Sequence, residues 1–243
     1  MNGITPDCLN DFYFTNPAER KTIELILLRQ MPFPFAGKSG ILLHGTWGTG
    51  KSTLAEVLPE LFETAYSGNW NPANSIGQMT GPNPSHTQTH MFRCGGGLSS
   101  TSFTQTINDC NSRNPLYSMS GNDYFIFDEV DRLTPAAQQS LRSTMGLKRC
   151  MFFFTTNYLP KIDPAIVNRC HLIEMNQAPN ACSYFPMAHN LLAQMGLSAS
   201  AISQTTLGTY AKNAKGSIRD FLNDVMVEGL SLGGKMPTTK AVV

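Results

Sequence analysis

Charged side chains are scarce in this chain. Asp, Glu, Lys and Arg make up 14% of its 243 residues, and 18 basic against 17 acidic groups leave a formal net charge of +1. That balance excludes a partner recognised by bulk charge; a nucleic acid would have to be gripped by a local patch. It also leaves much of the surface to Ser, Thr, Asn, Gln and Gly. No apolar run approaches the ~18–20 residues of a membrane-spanning helix. Met1 to Asn10 show no charged start followed by an apolar core, so no secretory signal is expected. None of the six cysteines (Cys8, Cys94, Cys110, Cys150, Cys170, Cys182) belongs to a C-x-x-C pair. Their spacing argues against a zinc site, and reduced thiols in a cytoplasmic, not secreted, protein are expected. There is no internal repeat. What is present, 41% hydrophobic residues over this length, suffices for one large domain or two smaller ones.

Residues 45–52 read Gly45-Thr46-Trp47-Gly48-Thr49-Gly50-Lys51-Ser52, the phosphate-loop pattern G-x-x-x-x-G-K-[ST]. The glycines let the backbone curl so that consecutive N–H groups face phosphate oxygens. Lys51 sets a charge on the β- and γ-phosphates, and Ser52 offers a hydroxyl to Mg²⁺. The flanks fit. Gly40 to His44 is a short apolar run, as a buried strand should be. From Thr53 onward, Leu54, Val57, Leu58, Leu61 and Phe62 recur on one helical face. Strand, loop and helix in that order bring a helix N-terminus to the phosphates. ATP with Mg²⁺ is the ligand this predicts, held by residues 45–53. Pro59 is expected to kink the helix or end it early.

Elsewhere, Asn16-Pro17-Ala18-Glu19 reads as a helix start with Asn as N-cap. Further apolar runs lie at Met91–Cys94, Tyr124–Phe127, Cys150–Phe154 and His171–Met175, separated by helical stretches. That alternation implies a parallel sheet covered on both faces. Residues 66–90 are rich in Ser, Gly, Asn, Pro and Thr without periodicity and read as an insertion in the first domain, with Trp70 as an anchor on the core. After Ala178 the strands stop. Helices are expected over Cys182–Met195, Ser200–Ala214 and Ser217–Leu230, the last capped by Ser217. The tail from Gly233 reads as disordered.

Two strand ends carry polar groups suited to phosphoryl chemistry. Phe125-Ile126-Phe127 runs into Asp128-Glu129, where Asp128 would hold the Mg²⁺ shell and Glu129 would orient or deprotonate an attacking water. Phe152-Phe153-Phe154-Thr155-Thr156 runs into Asn157, whose amide would position water if this strand lies beside the phosphate loop. Arg169 and Arg219 are the cations of interest for charge that builds on the γ-phosphate.

The order of these pieces resembles an AAA+ ATPase, and their wording resembles the clamp-loader branch, the small subunits of replication factor C and their phage counterparts. Asp128-Glu129-Val130-Asp131-Arg132-Leu133-Thr134 is similar to D-E-x-D-x-L-T, and Ala137-Gln138-Gln139-Ser140-Leu141-Arg142 to A-Q-x-A-L-R. Asn157, Asn168-Arg169-Cys170 and Gly216-Ser217-Ile218-Arg219 resemble the sensor-1 Asn, S-R-C and the sensor-2 G-D-x-R. The resemblance covers residues 38–60 and 91–230. It implies an α/β fold: a P-loop AAA+ parallel five-stranded sheet with flanking helices over residues 1–177, a small all-α lid over 178–232, and a tail over 233–243. It implies Asn157 as sensor 1, Arg219 reaching the nucleotide from the lid of the same subunit, and Arg169 acting on a neighbouring subunit's ATP, hence a homo-oligomer or a ring with related subunits. The chain departs from the pattern at Asn168, which replaces Ser, and at Arg142-Ser143, where the family has paired arginines. No collar domain is expected after the lid. The implied activity is ATP hydrolysis that drives loading or remodelling of a client protein on DNA, in replication. A hexameric viral-type helicase and an ATP-gated filament or adaptor on DNA are the alternatives. Arg93, Arg113, Arg142, Lys148 and Arg149 are the candidate DNA contacts.

Overall fold

The computed structural model describes residues 8–67, 79, 88–95, 98–113, 118–176 and 180–236. Most of the 66–90 segment, Trp70, and the end of the tail lie outside them. The element order is α1 (Pro17–Leu27), β1 (Gly40–His44), α2 (Lys51–Ser67), β2 (Thr89–Arg93), α3 (Ser100–Ser112), β3 (Asp123–Asp128), α4 (Pro135–Thr144), β4 (Cys150–Thr156), α5 (Pro164–Asn168), β5 (Cys170–Glu174), α6 (Phe185–Gln194), α7 (Gln204–Asn213) and α8 (Ile218–Ser231). The five strands form one parallel sheet in the order β2-β3-β4-β1-β5. The expected α/β architecture is therefore present, with helices after β5.

Burial follows strand position. Every residue of β4 and the first five of β3 are buried, because helices cover both faces of these central strands. Edge strand β2 instead alternates between exposed and half-buried residues. One face carries Ile41, Leu43, Tyr124, Ile126, Met151 and Phe153 against α1 and α2. The other carries Leu42, Phe125, Phe127, Phe152 and Phe154 against α3 and α4. Side chains alternate between the faces with the strand period of two. A third cluster, built on Tyr184, Leu191, Leu192, Leu207, Phe221 and Val225, holds α6, α7 and α8 together.

Helix boundaries follow local capping. The Asn16 side chain accepts from Ala18 N at 2.9 Å, with Pro17 opening α1. Ser203, rather than a residue near 200, caps α7, and a 3-10 turn over Ala181–Tyr184 precedes α6. β2 begins at Thr89, two residues before the expected strand, so the insertion stops short of its expected end.

Pro59 does not end α2, which continues to Ser67. A proline in a helix interior costs about 3 kcal/mol. Beyond it, Leu61 and Phe62 are buried, each worth ~1.5–3 kcal/mol. The buried carboxylate of Glu63 accepts from Ser118 Oγ (2.9 Å), Met119 N (2.6 Å), Ser120 Oγ (2.6 Å) and Tyr124 Oη (2.6 Å). Tertiary anchoring of the last turns outweighs the local penalty.

Candidate functional site

The phosphate-loop residues lie between β1 and α2, with Lys51 as the first residue of the helix and Ser52 and Thr53 in its first turn. β1 is an inner strand, between β4 and β5, although the chain visits β2 and β3 before β4. A crevice at the carboxyl end of strands, where the order reverses, is the usual ligand position in such sheets. Gly45, Gly48 and Gly50 all have positive φ (136°, 72° and 89°). At two of them space is also limiting. A Cβ on Gly45 would stand 2.4 Å from Met175 O, and one on Gly48 would stand 2.4 Å from Ser217 Oγ. The loop therefore fits between the end of β5 and the start of α8 only with glycine at these places.

Around that loop the structure gathers residues far apart in sequence. Ser52 Oγ donates to Asp128 Oδ1 at 2.7 Å, and Thr155 Oγ1 donates to the same oxygen at 2.6 Å. A carboxylate and a hydroxyl are the hard oxygen donors that suit Mg²⁺. Thr155 Oγ1 also accepts from Glu129 N at 2.9 Å, so one side chain on β4 holds both acidic residues that end β3. Glu129 itself has φ of 58°, and its Oε2 lies 2.7 Å from Arg132 Nε. Thr156, the last residue of β4, pairs with His44 and donates to Asp131 Oδ1 at 2.6 Å. Asn157, which follows it, thus stands at the phosphate-loop end of the neighbouring strand, as expected.

Lys51 is nearly buried and turned back on its own loop, donating to Gly45 O at 3.2 Å and to Thr46 O. Thr49 Oγ1 donates to Thr46 O at 3.0 Å, closing the turn. Thr46 N donates to Asn176 Oδ1 at 3.0 Å, across 130 residues. Burial lowers the Lys51 pKa to about 8; Asp128 opposes that shift and Arg219 adds to it. The ammonium is the form that holds phosphate. Below about pH 8 the free loop already carries it. Above that, binding has to draw in a proton, so nucleotide affinity falls by up to ~10-fold per pH unit. Nucleotide titration calorimetry at pH 7 and pH 9, in buffers of different ionisation enthalpy, should show proton uptake only at the higher pH. Equal affinity at both would contradict it.

The two arginines occupy opposite places. Arg219 N donates to Gly48 O at 3.2 Å, so the first turn of α8 sits on the phosphate loop. Arg169 immediately precedes Cys170, which pairs with Gly40, and its carbonyl accepts from Ser39 N and Gly40 N at 3.0 and 3.1 Å. It therefore stands at the start of β1, while the phosphate loop follows its end. At ~3.3 Å per residue the five residues of β1 put roughly 15 Å between them. The guanidinium donates to Ala165 O at 3.4 Å, within α5.

The candidate DNA contacts do not form one surface. Arg93 ends β2 opposite Asp128, whereas Lys148 and Arg149 precede β4 at the other end of the sheet. Arg142 lies 3.7 Å from Asp163. Trp47, on the phosphate loop, is 63% exposed and meets the exposed Tyr158 edge-on at 5.9 Å, with Lys161 over the Tyr158 ring.

Thr155, Asp131, Asn176 and the contact of Ser217 with the loop were not legible as site features. Thr155 and Asn176 each sit within two residues of a strand end already flagged, which is the one signal that pointed to them.

Solved structures with the same fold include the Holliday junction branch migration motor RuvB of Thermotoga maritima, with a TM-score of 0.63 at 13% identity, over 97% of this chain and 70% of that one. Its P216G mutant aligns with a TM-score of 0.64 at 14% identity over the same shares. No curated protein matches in sequence. No described helix is long and apolar enough to cross a membrane. The model of the ATPase family associated with various cellular activities (AAA) matches residues 41–177, more than half of the chain and the whole of the sheet but the first residue of β1; this protein belongs to the AAA family of ATPases.

Proposed function

We propose that this chain hydrolyses ATP with Mg²⁺ at a site shared between subunits of a homo-oligomer, and uses the turnover to load or remodel a client protein on DNA, in the manner of a clamp loader. The observation that carries the reading is the placement of Arg169. It lies at the start of β1, roughly 15 Å from its own phosphate loop, and an arginine so placed suits a neighbouring subunit's nucleotide better than its own. Within one subunit the phosphate loop would cradle the β- and γ-phosphates, with Lys51 as counter-charge. Ser52 and Asp128 would hold Mg²⁺, Glu129 would take the proton of the attacking water, Asn157 would orient it, and Arg219 would sense the nucleotide from α8. The exposed Trp47 and Tyr158 flank the loop where a neighbour would cover them. The sequence resemblance to clamp loaders supports replication as the setting, and the fold likeness to a branch migration motor supports a DNA-associated role.

The test is the solution mass of Glu129→Gln with ATP and Mg²⁺, alone and with single-stranded or primed DNA. A closed assembly strengthened by primed DNA is expected. An open-ended size distribution on single strands would favour a filament, and a monomer under every condition would overturn the shared site.

A further inference from the structure

Far from the phosphate loop, three groups with no part in nucleotide chemistry meet. His90 in β2 lies opposite Phe125 and stacks on its ring at 5.1 Å. Asp123, two residues before Phe125 in β3, shares that face of the sheet. Cys110, near the end of α3, is packed in the cluster that covers it. Cys110 Sγ lies 3.3 Å from His90 Nε2, and His90 Nε2 lies 3.9 Å from Asp123 Oδ1. The three ligand atoms all fall within 4.8 Å of one another. Asp123 is 2% exposed, and its Oδ1 has no hydrogen-bond partner among the described residues. A buried carboxylate oxygen without a donor is costly unless positive charge is supplied.

Two readings of the cluster make different demands. A nucleophile–histidine–carboxylate relay needs the thiol on one ring nitrogen and the carboxylate on the other. Here sulfur and oxygen both approach Nε2, so the relay fails. Coordination needs the opposite, convergence of S, N and O on one point. Tetrahedral zinc bonds of ~2.0–2.3 Å place neighbouring ligand atoms ~3.3–3.7 Å apart. The observed 3.3 and 3.9 Å bracket that range.

From this convergence we infer that His90, Cys110 and Asp123 bind a divalent cation of the zinc class. A mixed sulfur, nitrogen and carboxylate set suits zinc and disfavours Mg²⁺. Cys150 pairs in register with Asp123 and so brings a further thiol to the same face of the sheet. Burial pushes its thiol up to about 12, with Asp123 and Cys110 adding to the shift. Burial and Asp123 raise the Cys110 pKa, and the Arg113 guanidinium, which donates to Cys110 Sγ at 3.8 Å, opposes that shift. The ion would tie edge strand β2 and helix α3 to the body of the sheet. The ligands would come from three elements joined by the sheet register, not from one local loop, so cysteine spacing carries no signal of them.

The experiment is a Co²⁺ titration of the full chain in Mg²⁺-containing buffer, read by thiolate-to-cobalt charge transfer and tetrahedral d–d absorption. One equivalent per chain is expected, displaced by Zn²⁺. His90→Gln and Cys110→Ser should each weaken it more than ~100-fold, beyond the loss of an outer partner. Cys182→Ser, at an exposed cysteine, should change nothing. Zn²⁺ should raise the unfolding temperature of the parent chain but not of His90→Gln. His90 is partly exposed, so this variant keeps the test valid should Cys110→Ser misfold. A missing thiolate band, a Cys110→Ser variant that keeps the parent's Co²⁺ affinity, or a band lost in Cys182→Ser would overturn the site.

Discussion

Arg169→Ala is expected to lower ATP turnover ~10³-fold or more, the range over which an arginine supplied to a phosphoryl transition state acts. The nucleotide dissociation constant should stay within about twofold, because Arg169 lies at the far end of β1 from its own phosphate loop. The sharper readout is mixing. In an equimolar mixture of Arg169→Ala and Glu129→Gln chains, about one interface in four joins an intact Glu129 to an intact Arg169. Activity should therefore reappear from two inactive preparations. If Arg169→Ala abolished nucleotide binding, or if mixing restored nothing while both variants co-assembled, the trans role would be wrong.

Glu129→Gln should reduce turnover by ~10²–10⁴-fold, the usual contribution of a general base, with ATP still bound. The substitution keeps size and hydrogen bonding but cannot accept the proton. Thr155 would still hold the backbone of residue 129, since its hydroxyl receives the N–H rather than the side chain. The carboxylate meets Arg132 at 2.7 Å, but the Glu129 and Arg132 side chains are 40% and 59% exposed, respectively. A pair so exposed holds ~0–1 kcal/mol, so releasing Glu129 toward a water is cheap, and Arg132→Ala should alter turnover less than ~5-fold. Single-turnover assays with labelled ATP distinguish the cases. Turnover of Glu129→Gln within tenfold of the parent chain would place the base elsewhere.

Both predictions rest on groups that differ in how openly they stood in the sequence. The strand, phosphate loop and helix over residues 40–67 were legible because every signal is local: apolar run, glycine spacing, helical period and adjacent Lys-Ser. The same holds for the Asn16 and Ser217 caps, whose partners lie within three residues. That Pro59 does not end its helix early was hidden for the converse reason. Its cost is local, but the groups that override it, Glu63 with Ser118, Ser120 and Tyr124, come together over more than fifty residues.

By itself, then, the amino-acid sequence determined which segments become strands and helices, which loop is shaped for phosphate, and which carboxylates end a buried strand. Those are properties of backbone preference and periodicity within a few residues. Only the tertiary structure decided that Ser52 meets Asp128 across 76 residues, that Asn176 backs the loop, that Ser217 seats against Gly48, and that Arg169 stands at the opposite end of β1. It also gathered His90, Cys110 and Asp123. The parallel register of five strands fixes which ends lie side by side, and core packing on both faces selects that register. Neither is encoded at any one position.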